Sequence, residues 1–258
     1  MQIAGIQKIT LIDYPGKVAA TIFTRGCSFR CGFCHNPELV IPEKFSGILF
    51  DEGELLSFLE SRVGKLEAVC ITGGEPTIQP DINEFIRKVK RMGFLVKLDT
   101  NGSRPERLKE AIDSGNIDYI AMDIKTTLEK YPSVVNPPSC LSFPPIRQAQ
   151  GRLRRESSAL VANIQKSISL IMNSGTEGHE RSRMINYEFR TTVCHPLHEI
   201  EDFGEMGKLI QGAKRYYIQN FVESKQIDEE TNYKPFTDEE LEAAKEVMKK
   251  YINSVNLR

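Results

Sequence analysis

Residues 18–34 read VAATIFTRGCSFRCGFC. Val18–Thr24 is a short apolar run with β-branched and aromatic side chains, which reads as a buried strand. A loop follows at once with three cysteines in eight residues, Cys27-Ser-Phe-Arg-Cys31-Gly-Phe-Cys34. The strand-then-loop pattern recurs along the chain. Further strand candidates are 68–72, 94–99, 119–124, 187–193 and 215–219, and helix candidates at 51–62, 80–91, 105–114, 160–173, 199–210 and 237–251 alternate with them. Asp51 with Glu54 makes a capping pair for the first of these helices, and Asp238 is placed to cap the last. Six β-then-α repeats predict a parallel sheet with right-handed crossovers. With six units rather than eight, the expected fold is α/β: an incomplete (β/α)6 barrel of parallel strands with outer helices. In such a fold ligands sit at the carboxyl ends of the strands.

The 258 residues suffice for one domain with a sizeable core. A net charge of −1 argues against a dedicated binder of nucleic acid or of a membrane surface. No apolar run approaches the ~20 residues that span a bilayer, and the first residues lack the pattern of a secretory leader, so a cytoplasmic protein is expected. One segment interrupts the repeats. Residues 136–158 carry four prolines and four arginines without hydrophobic periodicity. They read as a disordered insertion. The basic run Arg152–Arg155 lacks interleaved aromatics, which speaks against a single-strand nucleic-acid site. Residues 174–183 read as a second surface loop.

The cysteine loop carries the chemistry. Six cysteines in a reducing compartment are not needed as disulfides, and three crowded together point to a metal. Thiolates hold iron–sulfur cubanes. Three of them leave one iron open for an external ligand, as a catalytic centre requires. A structural zinc site takes four ligands, and His35 beside Cys34 is poorly placed to complete one. Cys70 reads as a small buried hydrophobe.

The loop resembles the signature of the radical S-adenosylmethionine superfamily. The longer string CSFRCGFCHNPELV (27–40) is similar to the glycyl-radical-enzyme activases. With the opening LIDYPGKVAATIFTRGC (11–27), the chain resembles most the activating proteins of anaerobic ribonucleoside-triphosphate reductases. The resemblance spans nearly the whole chain apart from 136–158 and 174–184. It implies one [4Fe–4S] cluster on Cys27, Cys31 and Cys34, with S-adenosylmethionine chelated at the open iron and cleaved reductively to methionine and a 5′-deoxyadenosyl radical. Phe33 matches a position that packs near the adenine.

Other strand ends add to the reading. Ile71-Thr72-Gly73-Gly74-Glu75-Pro76 follows the second strand, where paired glycines permit close backbone approach and a carboxylate can accept from an ammonium. It resembles the family's site for the methionine amino group. Asp99-Thr100-Asn101-Gly102 and Met122-Asp123-Ile124-Lys125 end the next two. By resemblance they surround the ribose and the methionine carboxylate, with Lys125 on the carboxylate. In the pyruvate formate-lyase activases, positions matching Asp99, Thr100, the Met122 carbonyl and Asp123 hold a monovalent cation, so such an ion is a further expectation. Arg190, inside an apolar strand, needs a partner, either the cofactor or a core carboxylate. Cys194-His195-Pro196-Leu197-His198 reads as a drifting loop rather than a metal site. The implied partners are a glycyl-radical enzyme, foremost anaerobic ribonucleotide reductase, and an electron donor such as flavodoxin or ferredoxin. A pyruvate formate-lyase activase, or an enzyme acting on a small molecule in the manner of 7-carboxy-7-deazaguanine synthases, remains the alternative.

Overall fold

The computed structural model describes residues 1–136, 150–175 and 184–258. In chain order the elements are β1 (Ile3–Thr10), β2 (Ala19–Thr24), α1 (Pro37–Val40), α2 (Glu52–Glu60), β3 (Ala68–Gly73), α3 (Ile82–Arg91), β4 (Leu95–Thr100), α4 (Pro105–Asp113), β5 (Tyr119–Asp123), α5 (Tyr131–Val135), α6 (Gln150–Ser174), β6 (Asn186–Val193), α7 (Asp202–Leu209), β7 (Tyr216–Asn220), α8 (Asp238–Met248) and β8 (Val255–Leu257). All six expected strands are present. Strand order follows chain order, β1 to β8. The fold is α/β with a mainly parallel sheet.

The residues divide into two compact units. The first comprises Met1–Ser28, Glu38–Ala121 and Leu170–Tyr187; the second comprises Phe29–Pro37, Met122–Ser169 and Glu188–Arg258. In the first, β2 runs parallel to β3 with Ala19 beside Ala68 and Thr24 beside Gly73, and β3 runs parallel to β4 with Ala68 beside Leu95. Nearly every β2 side chain is buried, the mark of a strand covered on both faces. β1, which the alternation of the six units did not include, pairs antiparallel with β2 at its edge and leaves Gln7, Lys8 and Ile9 exposed. α3 shows how the helices are held: Ile82, Phe85, Ile86 and Val89 recur at helical spacing and are all buried. Each contributes about 1.5–3 kcal/mol on burial. Asp51 caps α2, its Oδ1 accepting from Glu54 N at 3.0 Å, as expected.

In the second unit β6, β7 and β8 run parallel, with Phe189 beside Tyr216 and Tyr216 beside Val255. β8, only three residues long, carried too little pattern to be expected. The cap of α8 is Thr237 rather than Asp238. Thr237 and Glu240 form a reciprocal capping box, and Asp238 lies in the first turn, where its charge meets the positive end of the helix. α6 begins at Gln150, inside the segment 136–158 expected to be disordered. All four prolines of that segment lie before Gln150, whereas 150–158 holds Arg, Leu and Glu, good helix formers that extend the helix backwards. Residues 137–149, and with them Cys140, lie outside the described residues, as does most of 174–183. Among the described residues no helix is long and apolar enough to cross a membrane.

Candidate cofactor site

The run-in to the cysteine loop is stitched to the end of β3. Gly74 N donates to Thr24 O at 2.9 Å and Glu75 N to Gly26 O at 2.8 Å. A Cβ on Gly73 would lie 2.4 Å from Thr24 N, and one on Gly74 would lie 1.9 Å from Gly26 O. Both positions therefore exclude any side chain. The paired glycines expected to approach a ligand already approach this chain's own backbone, Gly73 at Thr24 and Gly74 at Gly26, just before Cys27.

Glu75 is fully buried, with no exposed surface. Its Oε1 accepts from Thr77 N at 3.0 Å, from Thr100 Oγ1 at 2.8 Å and from the Thr77 hydroxyl; its Oε2 accepts from Asn101 N at 2.6 Å. Burial pushes this carboxyl above the ordinary value, while the hydrogen bonds pull the other way. Glu75 thus fastens the end of β3 to the end of β4. Asn101, held in that way, extends Nδ2 to Cys27 Sγ at 3.6 Å and to Ser28 Oγ at 3.2 Å. Ser28 Oγ in turn lies 2.6 Å from Ser103 Oγ. Asp99 is ion-paired with Lys97, a lysine only 2% exposed in the middle of β4. Thr100 Oγ1, besides donating to Glu75, accepts from Gly102 N at 3.1 Å.

In the second unit, Cys34 N donates to Cys31 O at 3.1 Å and closes a turn. Gly32, at its centre, accepts through its carbonyl from Ile227 N at 3.0 Å and Asp228 N at 3.1 Å. A Cβ on Gly32 would meet Tyr233 Oη at 2.1 Å. Phe33 is buried, meets the Tyr233 ring edge-on at 6.1 Å, and has Lys125 Nζ over its face at 6.0 Å. His35 stacks on Phe221 at 5.2 Å with Nδ1 3.0 Å from Ser224 Oγ. Burial first, then the charge of Lys125, holds its pKa below the usual imidazole range.

Asp123 receives two cations: Lys125 Nζ at 2.9 Å and Arg190 Nε. Burial alone would push the Asp123 carboxyl up; Arg190 and Lys125 overcome it and hold the group far below the ordinary range. Lys125 is raised in return: burial opposes, but Asp123 and then Cys31 favour its charge. Arg190 thus has the carboxylate partner that an arginine in an apolar strand requires. His198, fully buried, accepts from Cys194 N at Nδ1 (3.2 Å), and its Nε2 lies 2.8 Å from the Lys125 carbonyl, so the network assigns a neutral Nε2–H imidazole. Burial pushes the neighbouring Cys194 thiol up to about 12. Cys70 is fully buried, as expected.

Lys97, His198, Asp228 and Tyr233 were not singled out as site residues from sequence. Lys97 was within reach of the same rule that picked out Arg190, a charge inside an apolar strand. Nothing in the local pattern ties Tyr233 to a glycine two hundred positions earlier.

Among the described residues, Cys27, Cys31 and Cys34 take part in no disulfide. Among the described residues no three His, Cys, Asp or Glu side chains form a ready-made cage for a single ion. A cubane spreads its thiolates over separate irons and asks for wider spacing than one ion. Soft donors on one short loop, with an N–H donor at one sulfur, fit such a cluster. A monovalent cation fits less well: Asp99, Thr100 and Asp123 all have partners from the chain.

The radical SAM superfamily model matches residues 21–141. A Methanocaldococcus jannaschii protein provisionally named a glycyl-radical enzyme activating enzyme is 31% identical over 258 residues, covering 99% of this chain and 95% of that one. The pyruvate formate-lyase-activating enzyme of Listeria monocytogenes is 30% identical over 135 residues, 48% of this chain and 53% of that protein. In fold, the crystal structure of Streptococcus suis SuiB bound to S-adenosylmethionine matches with a TM-score of 0.56 at 16% identity, over 90% of this chain and 48% of that one. Enzymes of this superfamily use a [4Fe–4S] cluster and S-adenosylmethionine. A cysteine loop at the end of the first parallel strand, a matching superfamily model over it, and an end-to-end relative together lead to one conclusion: the chain belongs to the radical S-adenosylmethionine superfamily and is homologous to the glycyl-radical-enzyme activating enzymes.

Proposed function

We propose that this protein activates a glycyl-radical enzyme, foremost anaerobic ribonucleotide reductase, in the cytoplasm, with flavodoxin or ferredoxin supplying the electron. The observation that carries the reading is the 31% identity to the Methanocaldococcus jannaschii protein over 99% of the chain. Cys27, Cys31 and Cys34 carry the cluster. Bound there, it would supply one electron for the reductive cleavage of S-adenosylmethionine to methionine, and a hydrogen atom taken from a glycine Cα would leave 5′-deoxyadenosine and a glycyl radical.

The chain's residues orient and screen that chemistry. Lys125 and Arg190 place positive charge for the methionine carboxylate, and Phe33 offers an apolar ring for the adenine. Gly73, Gly74 and Glu75 hold the backbone of the ammonium-binding strand end, with Asp99, Thr100, Asn101 and Asp123 toward the ribose and methionine. The Asn101 N–H at Cys27 Sγ eases charge onto the sulfur.

Anaerobic reconstitution should load about four irons and four sulfides, and Cys27→Ala, Cys31→Ala or Cys34→Ala should abolish loading. Mixing the loaded protein with the reductase, S-adenosylmethionine and reductant should then give a glycyl-radical doublet in the electron paramagnetic resonance spectrum. A doublet only with pyruvate formate-lyase shifts the assignment to that partner. Cofactor cleavage with no doublet from either means a different target, a small molecule included.

A further inference from the structure

We infer that this protein does without the monovalent cation expected at its strand ends, because its own side chains already supply the charge that such an ion would bring. The expected donor set was Asp99, Thr100, the Met122 carbonyl and Asp123. Asp99 is paired with Lys97, whose ammonium is almost wholly buried on the same strand. A lysine is seldom buried to 2% unless its charge has a fixed counterpart. Thr100 Oγ1 is engaged twice, donating to Glu75 and accepting from Gly102 N. Asp123 carries two cations, Lys125 on Oδ2 and Arg190 on Oδ1, so each of its oxygens is engaged.

An alkali ion at Asp99 would sit next to the Lys97 ammonium, and one at Asp123 next to the Lys125 ammonium and the Arg190 guanidinium, and either would be repelled. It would also have to displace side chains that, once stripped of carboxylate partners, are buried charges without compensation. Lys97 therefore stands in the role of the ion on Asp99, and Lys125 with Arg190 does so on Asp123. The two carboxylates are met by three side-chain cations. Every side-chain donor of the expected set is thus already engaged by a cation or a hydrogen bond of this chain.

The inference concerns charges internal to the chain and holds whichever enzyme is activated; only its S-adenosylmethionine arm rests on the proposed cofactor site. The first test needs no cofactor. Sodium-23 NMR line widths, followed as sodium is added to the protein in tetramethylammonium buffer, should show no saturable broadening, and thermal unfolding should not shift on exchanging tetramethylammonium for potassium. The second test measures S-adenosylmethionine affinity of the cluster-loaded protein by calorimetry, which should change less than about twofold between the two buffers. Saturable broadening, or affinity that falls tenfold without alkali ion, would overturn the inference. Lys97→Met frees the Asp99 carboxylate and should introduce an alkali-dependent rise in melting temperature that the unaltered protein lacks. A folded Lys97→Met protein that ignores sodium and potassium would count against the inference, and if that variant does not fold, the measurements on the unaltered chain decide.

Discussion

Glu75, just past the end of β3, and Asp123, at the end of β5, face the same problem and solve it in opposite ways. Each is a carboxylate removed largely from water at a strand end. Glu75 is met by hydroxyl and amide donors, and its titration is pushed up, burial outweighing the hydrogen bonds. Asp123 is met by a guanidinium and an ammonium, and its titration is driven far down although burial acts on it too. Neutral donors fix where a carboxylate points but only partly replace its hydration, whereas opposite charges also favour its ionised form. The first arrangement suits a fastening that sets backbone; the second suits a charged surface that keeps one protonation state across the working range.

The largest expected effect is on the ion-paired side. Asp123→Asn strands Arg190 and Lys125 and should cost about 2–3 kcal/mol in denaturant unfolding. The deficit should persist across neutral pH. A carboxyl with a depressed folded pKa contributes stability above its ordinary pKa and loses it only as pH falls through the folded one, so the difference from Asp123→Asn should close only in acid. An unaltered unfolding midpoint at neutral pH would show that the cations are satisfied elsewhere.

Glu75→Gln should cost less, about 1–2 kcal/mol, by setting an amide N–H₂ against the donors of Thr77, Thr100 and Asn101. Its pH dependence should have the opposite sign. Raised in the folded state, the Glu75 carboxyl contributes stability below its ordinary pKa and loses it as pH rises through the folded value, so the unaltered protein should lose ground to Glu75→Gln on going from acid to neutral pH. Parallel pH profiles for the two pairs of proteins would break the comparison. The smallest effect belongs to Asn101→Leu, roughly 1 kcal/mol. Loss of the N–H at Cys27 should lower the cluster's midpoint potential by on the order of a few tens of millivolts, measured by redox titration.

Much of this was legible in sequence because it is local. The six buried parallel strands announce themselves as apolar runs, and the C-x3-C-x2-C loop, the GGE and DTNG ends and Lys125 are contiguous motifs. β1 was missed because an edge strand with exposed Gln7, Lys8 and Ile9 has the mixed character of a loop. The role of Glu75 was legible as "carboxylate at a strand end" but not as a hub, since Thr100 and Asn101 reach it from 25 and 26 positions away. Arg190 was seen to need a partner, yet the choice of Asp123 needed the register of β6. The start of α6 at Gln150 escaped because the prolines of 137–145 coloured the reading of the helix-forming residues after them.

The Gly32 carbonyl, gripped by Ile227 and Asp228, ties the middle of the cysteine loop to chain made about 195 residues later. At typical synthesis rates of about 5–20 residues per second, that is on the order of ten to forty seconds. Through that interval Cys31 and Cys34 have left the ribosome while the stretch that fastens their turn has yet to be made. The local Cys34 N–Cys31 O bond can close the turn early, but its bracing by Ile227 and Asp228 waits for the last part of the chain. Iron and sulfide delivered before then meet an unfastened loop; delivered after, a braced one.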